Sequence, residues 1–165
     1  MVVTVDAHWV PFLSRWHWTA NEKEPGRFYA YRSIHGGKKH VHMHRVVLEG
    51  KLGRHLEKGE EADHIDGNTL DNREANLRMA TRQQQMMNCA KRKTNGSRGL
   101  TSQYKGVGRR GPSRPGGAQR TKPWVSRVRL NGKNEERYHH TELEAAQDYD
   151  RRALEKFGEF ARTNF

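Results

Sequence analysis

Apolar positions in the chain come in short clusters broken by polar and glycine-rich stretches, and no run approaches the 18 or so residues of a membrane span. Their periodicity predicts a short helix over 7–13, strand-like pieces over 16–20, 28–33 and 41–44, and a helix over 45–52. A second unit begins near Glu61: a short strand to His64, the turn-rich loop DGNTLDN, a strand over 76–80 and a helix from Thr81. Thr81 and Gln84 have the spacing of a capping box, which fixes that helix start. The third unit has predicted strands over 104–109, 124–130 and 136–140, then a helix over 142–157. Leu143, Ala146, Tyr149, Ala153 and Phe157 share one face of that helix, the face on which the small sheet is expected to pack.

Composition sharpens this picture. Apolar residues with glycine make up about 39% of the 165, below the roughly 45–50% of a typical globular domain, so two small cores are expected rather than one large one. The formal net charge is +12. Residues 1–88 hold 13 basic and 11 acidic side chains, residues 89–141 hold 14 and 2, and residues 142–165 hold 4 and 6. The excess thus sits in the middle of the chain, where Gly, Ser, Pro and Thr interrupt it, a composition suited to tracking phosphates and not to an amphipathic membrane helix. The single cysteine, Cys89, excludes an intramolecular disulfide framework and a Cys-cluster zinc site. The N-terminus lacks the basic-then-apolar pattern of a signal peptide, so the expectation is a soluble, cytoplasmic nucleic-acid-binding protein.

Candidate chemistry concentrates in EADHIDGNTLDNREANLRMATRQQQMMN at 61–88. Asp63 and His64 are adjacent at a strand end, and Asn76 follows twelve residues after His64 across the predicted hairpin. Phosphodiester hydrolysis needs a water deprotonated near neutral pH, which suits histidine, and a cation to offset charge on the phosphate, which suits a carboxylate with an amide oxygen. His40, His42 and His44 alternate, so in a strand they share a face; a three-histidine zinc site and a partly exposed strand face near DNA are both compatible with that pattern.

The run DHIDGNTLDNREANLRMAT resembles the core of the HNH homing endonucleases. The resemblance implies a ββα-metal fold, with His64 as general base, Asp63 as a metal ligand, and Asn76 as the residue that fixes the loop and orients the histidine. The MHR of Met43–Arg45 is similar to the segment preceding that core, which implies a phosphate contact from His44 or Arg45. The implied cofactor is Mg²⁺ or a similar divalent cation such as Mn²⁺. The family's third motif position, normally Asn or His on the helix, is Gln85 here. The extra methylene displaces the amide oxygen by about one carbon–carbon bond, and metal sites tolerate little displacement. Gln85 as a shifted ligand, Asn88 one turn later as its substitute, and a protein that has lost activity all remain open.

YKGVGRR at 104–110, WVSRVRLNGK at 124–133 and EAAQDYDRRALEKFGEFARTNF at 144–165 resemble the AP2 family of DNA-binding domains. That resemblance implies a three-stranded antiparallel sheet in the major groove with one helix packed behind it. Lys105, Arg109, Arg110, Trp124, Arg127, Arg129, Arg137 and, more weakly, His139 are the implied DNA-facing residues, Arg127 and Arg129 projecting together by strand alternation. Taken together, the expectation is an α+β chain. Residues 1–90 form an HNH nuclease domain whose core is 61–90, residues 91–103 a basic linker whose Lys91, Arg92 and Lys93 grip phosphates, and residues 104–165 an AP2-like domain. Such a chain is expected to act as a monomeric homing-type endonuclease on double-stranded DNA in a bacterial or phage-infected cell. A binding-only regulator is the competing reading. An RNA-directed factor is a more distant one, since no aromatic-rich RNA-binding sheet motif is present.

Overall fold

The computed structural model describes residues 1–91, 101–112 and 117–165, which form a mixed α/β protein with small antiparallel sheets. The chain divides into two compact units, Met1–Met86 and Met87–Phe165. Most of the expected linker, Arg92 and Lys93 included, lies outside the described residues. No helix among the described residues is long and apolar enough to cross a membrane.

In the first unit a 3-10 turn over Ala7–Trp9 runs into α1 (Val10–Leu13), then β1 (Thr19–Glu24), β2 (Arg27–Ile34) and β3 (Lys39–His42) pair antiparallel in that order. Helix α2 (Met43–Leu52) follows without a break and stops at Gly53, whose φ of 65° is the left-handed conformation that closes helices. A second sheet pairs β4 (Glu60–His64) with β5 (Leu77–Thr81), and α3 (Arg82–Asn88) leaves β5 directly. Its start is the capping box read from sequence: the Thr81 amide donates to Gln84 Oε1 at 2.7 Å and the Gln84 amide donates to Thr81 Oγ1 at 3.3 Å. Leu13, Ala30, Met43, Val47, Leu48, Leu56 and Leu77 make one buried cluster that joins the first sheet, α2 and β5. Gly50 admits the Trp9 indole to that packing, since a Cβ there would lie 2.1 Å from the ring.

The first residues are a strap across the loop between β4 and β5. The Thr4 amide donates to Leu70 O at 2.9 Å and Thr4 O accepts from the Asn72 amide at 2.8 Å. Asp6 Oδ2 accepts from the Glu74 amide at 2.8 Å, and Trp9 Nε1 donates to Glu74 Oε1 at 2.7 Å. These bonds satisfy backbone groups of a loop too irregular to satisfy its own.

In the second unit β6 (Val107–Arg109), β7 (Trp124–Leu130) and β8 (Lys133–His139) form an antiparallel sheet with β7 central, and α4 (Glu142–Phe157) packs on one face. Two clusters hold them together: Val107 with Ala145 and Ala146, and Val128 with Tyr149 and Ala153. Thr141 and Glu144 cap α4 reciprocally. The chain end is tied down by buried Asp150, which accepts from the amides of Asn164 at 2.9 Å and Phe165 at 3.1 Å.

Several boundaries depart from the sequence reading. The first strand starts at Thr19 and runs to Glu24, α2 begins two residues before Arg45, the β6 strand starts only at Val107, and β8 begins at Lys133. Leu143 is 49% exposed, and the fully buried Ala145 takes its place on the packing face of α4. That face is turned by the polar residues Asp150 and Arg152, which are also buried there.

Gly106 combines a φ of 71° with a site where a Cβ would lie 2.0 Å from the Tyr149 ring. Gly106→Ala is expected to destabilise the second unit by on the order of 3 kcal/mol, through backbone strain and overpacking, seen as a lower urea midpoint in an unfolding curve.

Candidate functional site

His64 is the last residue of β4 and is 5% exposed. Its Nε2 lies 3.1 Å from Asn72 Oδ1. An amide oxygen only accepts, so Nε2 carries the ring proton and the lone pair resides on Nδ1. Burial pushes the imidazole pKa below its ordinary value, opposed in part by the Asn72 bond and by the negative charges of Asp63 and Asp66. A histidine so held is neutral at neutral pH and basic at a defined nitrogen.

The loop that carries Asn72 is closed by Asn76. Its Nδ2 donates to Asp71 O at 2.9 Å and its Oδ1 accepts from the Asp66 amide at 3.1 Å. Asp71 is in turn clamped by Arg73, whose Nη2 donates to Oδ2 at 2.6 Å and holds the carboxyl pKa down. The loop-fixing and histidine-orienting roles expected together at Asn76 are therefore divided: Asn76 shapes the loop, and Asn72, fully buried, touches the ring. Asn72 sits among turn-forming residues that account for one another, which hides it in the sequence.

Asp63 precedes His64 at the end of β4, and Arg78 at the paired position on β5 donates from Nε to Asp63 Oδ2 at 3.2 Å. Gln85 reaches back from α3 to the same stretch of strand, its Nε2 donating to Ala62 O at 3.1 Å. Carboxylate and amide are thus gathered within one residue of each other along β4. One carboxylate and one amide oxygen suit a hard cation that keeps most of its waters. Among the described residues no group of three or more His, Cys, Asp or Glu side chains is placed to hold a metal, so the three-histidine zinc site is not assembled.

The histidines instead form a row. His42 and His44 have ring centroids 5.3 Å apart, and His44 lies 5.0 Å from His64. Tyr29 of β2 borders all three, at 6.3 Å from His42, 5.7 Å from His44 and 6.3 Å from His64. Of the two residues expected to meet a phosphate, His44 is the one brought against His64. Arg45 turns along α2, its Nε donating to Glu49 Oε1 at 2.8 Å and its Nη2 to Leu56 O at 3.3 Å. Tyr29, outside every motif, had no sequence signal beyond its place in a strand.

In the second unit, alternation sorts the predicted DNA residues by face. Arg127 and Arg129 are exposed on the face away from α4, where Arg127 Nε donates to Glu136 Oε1 at 2.7 Å. Arg110 joins that face by stacking over Tyr138 at 4.3 Å, Tyr138 being the β8 partner of Val125. Trp124 and its β8 partner His139 lie on the helix side, as does Arg137 opposite Ser126. There Trp124 packs against Val107, Ala145 and Ala146. Arg137 Nη1 donates to Asp148 Oδ1 at 3.2 Å, and His139 Nε2 is 3.1 Å from Ser126 Oγ. Arg109 pairs with Trp124 and its guanidinium sits 5.8 Å from that ring. Lys91 donates to Tyr104 O at 2.8 Å, and Lys105 donates to Met87 O. Burial lowers the Lys105 ammonium to about 8.

Residues 41–87 match the HNH endonuclease family, a span that includes His44, Asp63, His64, Asn72, Asn76 and Gln85. An uncharacterized HNH endonuclease of Acanthamoeba polyphaga mimivirus is 33% identical over 131 residues, which cover 78% of this chain and 58% of the relative. The chain thus spans little more than half the length of that protein. No solved structure matches it significantly. The chain contains an HNH endonuclease family domain, with the histidine row at its centre.

His44 is held at about 3, from 6.5, by burial first and by the charges of His64, His42, Arg45 and Lys23. Between pH 6.5 and 3 the unfolded chain binds the proton that the folded chain refuses, so stability falls as pH falls through that window. The His44 contribution to this loss is expected to reach a few kcal/mol, at roughly 1.4 kcal/mol for each tenfold change in proton affinity. Thermal unfolding of the first unit across that range is expected to show a shallower pH dependence in His44→Phe.

Proposed function

We propose that the chain is a site-targeted, homing-type endonuclease that hydrolyses a phosphodiester bond of double-stranded DNA. The observation that carries this reading is the fixing of His64 by Asn72, which presents Nδ1 as a base beside His44 within the HNH span. In this reaction His64 Nδ1 takes a proton from a water as the water oxygen bonds to phosphorus, the phosphorus–oxygen bond to the neighbouring nucleotide breaks and its oxygen leaves to take a proton from solvent water, and Asn72 holds the ring while it is charged. His44 meets the phosphate with a neutral ring nitrogen. Asp63 and Gln85 would hold Mg²⁺ or Mn²⁺, which supplies positive charge to the phosphate and the departing oxygen. Arg78 aims the Asp63 carboxylate.

The second unit is proposed as an AP2-like DNA-binding module. Its support is the sheet of three strands backed by one helix, with Arg127, Arg129 and Arg110 on the open side. Lys91, Arg92 and Lys93 of the basic linker are proposed to supplement it along the backbone, with Lys105 of the module itself and Arg109 at the sheet edge. The protein is proposed to act as a monomer in the cytoplasm of a bacterial or virus-infected cell.

A binding-only regulator is the second reading, favoured by one observation: Asp63 is ion-paired with Arg78, so the carboxylate offered to a cation already has a cationic partner. Nicking of supercoiled plasmid in Mg²⁺ or Mn²⁺ decides between them. The expected result is conversion to open circles that stops with EDTA and falls roughly 10²–10⁴-fold in His64→Ala. No nicking, with salt-sensitive DNA binding intact, overturns the nuclease. Gln85→Asn is expected to raise the rate if the longer side chain misplaces its oxygen.

In the DNA-binding module the faces predict different outcomes. Arg127→Ala and Arg129→Ala are each expected to lower the slope of log affinity against log salt by about 1, in anisotropy titrations of a labelled duplex. Arg137→Ala, tied to Asp148, is expected to leave that slope near wild type.

A further inference from the structure

We propose that the open face of the first sheet is a docking surface for the DNA strand that bears the scissile phosphate, leading that strand from the rim of β3 to His64. The inference rests on the nuclease reading and extends it to residues that lie before the matched span, Tyr31 and His40 among them.

Register and alternation define the face. Tyr31 is paired with His42 and Ser33 with His40, so β2 and β3 place these residues on one side, while Ala30 on the other side enters the buried core. The rings form a continuous path. Centroid steps of 4.8 Å from His40 to Tyr31, 6.3 Å to His42, 5.3 Å to His44 and 5.0 Å to His64 connect the sheet rim to the base. A polypeptide core has no use for a row of imidazoles at its edge, and the absence of a metal-holding group among the described residues removes that explanation for it.

Two further observations identify the occupant as a polyanion. Lys23 of β1 acts electrostatically on both His42 and His44, and the Arg27 guanidinium of β2 stands 5.7 Å from the ring of Tyr29, which borders them, so cations converge on the row from two strands. The ion-pair partner of Arg27, Glu24, sits 3.6 Å from it at the end of the β1–β2 hairpin. His42 and His44 each bury Nδ1 without a hydrogen-bond partner. A buried nitrogen with no acceptor is better left unprotonated, which puts the proton on Nε2 and makes each ring a neutral donor toward an anionic oxygen. Phosphate oxygens accept such donors, and aromatic rings beside them give bases a surface on which to stack. Donors and cations of this kind favour a polyanion over a protein partner.

Photo-crosslinking tests the surface. Full-length protein carrying His64→Ala, to prevent cutting, and Tyr31→p-benzoylphenylalanine is irradiated with a labelled duplex. The expected result is a covalent DNA adduct, suppressed by excess unlabelled duplex, and none from the same group placed at Leu52, at the far end of α2. In otherwise wild-type protein, Lys23→Gln with His40→Ala is expected to raise KM for plasmid nicking several-fold with kcat nearly unchanged, since neither residue touches the reacting atoms. Nicking with no adduct from Tyr31 and an unchanged KM overturns the docking surface and leaves the nuclease standing. An adduct without nicking keeps the surface and removes the nuclease. A chain that neither binds nor cuts DNA overturns both.

Discussion

The hydrogen bond between Asn72 and His64 is the constraint around which the first unit is organised. A polar ring buried to this degree is costly unless its N–H is satisfied. Asn72 meets that need with one oxygen, and everything that fixes Asn72 follows. Its amide is bound to Thr4 O, its loop is closed by Asn76, and the same loop is pinned through Glu74 to Asp6 and Trp9. The N-terminal strap is therefore part of the site, although it contributes no group to the chemistry. Gly50 serves the same end from a distance, because it lets Trp9 seat on α2 while its indole N–H reaches Glu74.

The second unit solves a different problem, that of a sheet with one face for packing and one for solvent. Alternation along β7 sends Ser126 and Val128 toward α4 and Arg127 and Arg129 away from it. The packing face is not purely apolar. Arg152, 1% exposed, donates to Ser126 Oγ at 3.3 Å, to Asp148 Oδ2 at 3.3 Å and to Glu135 O at 3.0 Å. A buried guanidinium of this kind adds little net stability, but removal of one partner leaves a charge stranded. Arg137 and His139 are recruited to the same carboxylate, Asp148, which is why they sit with the helix.

Local features were legible in the sequence and cross-chain ones were not. The capping box at Thr81, the β4–β5 hairpin around DGNTLDN and the helix over 142–157 depend on residues within one element, and each appears where its spacing places it. The spacing of Asp63, His64, Asn76 and Gln85 is local in the same sense, and it suffices to find the span that matches the HNH endonuclease family. Partners of those residues are set by register and by loop closure. Arg78 faces Asp63 only once β4 and β5 are paired, Asn72 is one of several interchangeable turn formers, and Tyr29 reaches the site from another sheet. The face of Arg137 needs the pairing of β8 with β7, which alternation within one strand does not supply. Leu143 and Ala145 exchange places because the polar network on α4 rotates the buried stripe away from the purely apolar one.

Net charge, the first clue to a polyanionic partner, describes the first unit poorly. With 13 basic and 11 acidic side chains over residues 1–88, that part of the chain is close to balanced. Its carboxylates, however, are occupied at the periphery: Glu49 by Arg45 and His55, Glu60 by Arg54, Asp71 by Arg73, and Glu74 by His8 and Trp9, each held below the usual carboxylate range by those bonds. Pairs of this kind contribute little field beyond their own length, because opposite charges a few ångströms apart cancel and salt screens the remainder. Lys23 and Arg27 bear directly on the histidine row, and Lys23 opposes protonation of both His42 and His44. Lys23 therefore sets the sign of the field at His42 and His44, while at His64 Asp63 and Asp66 act against Arg27, so the field along the row follows from how charges are placed and paired and not from how many there are.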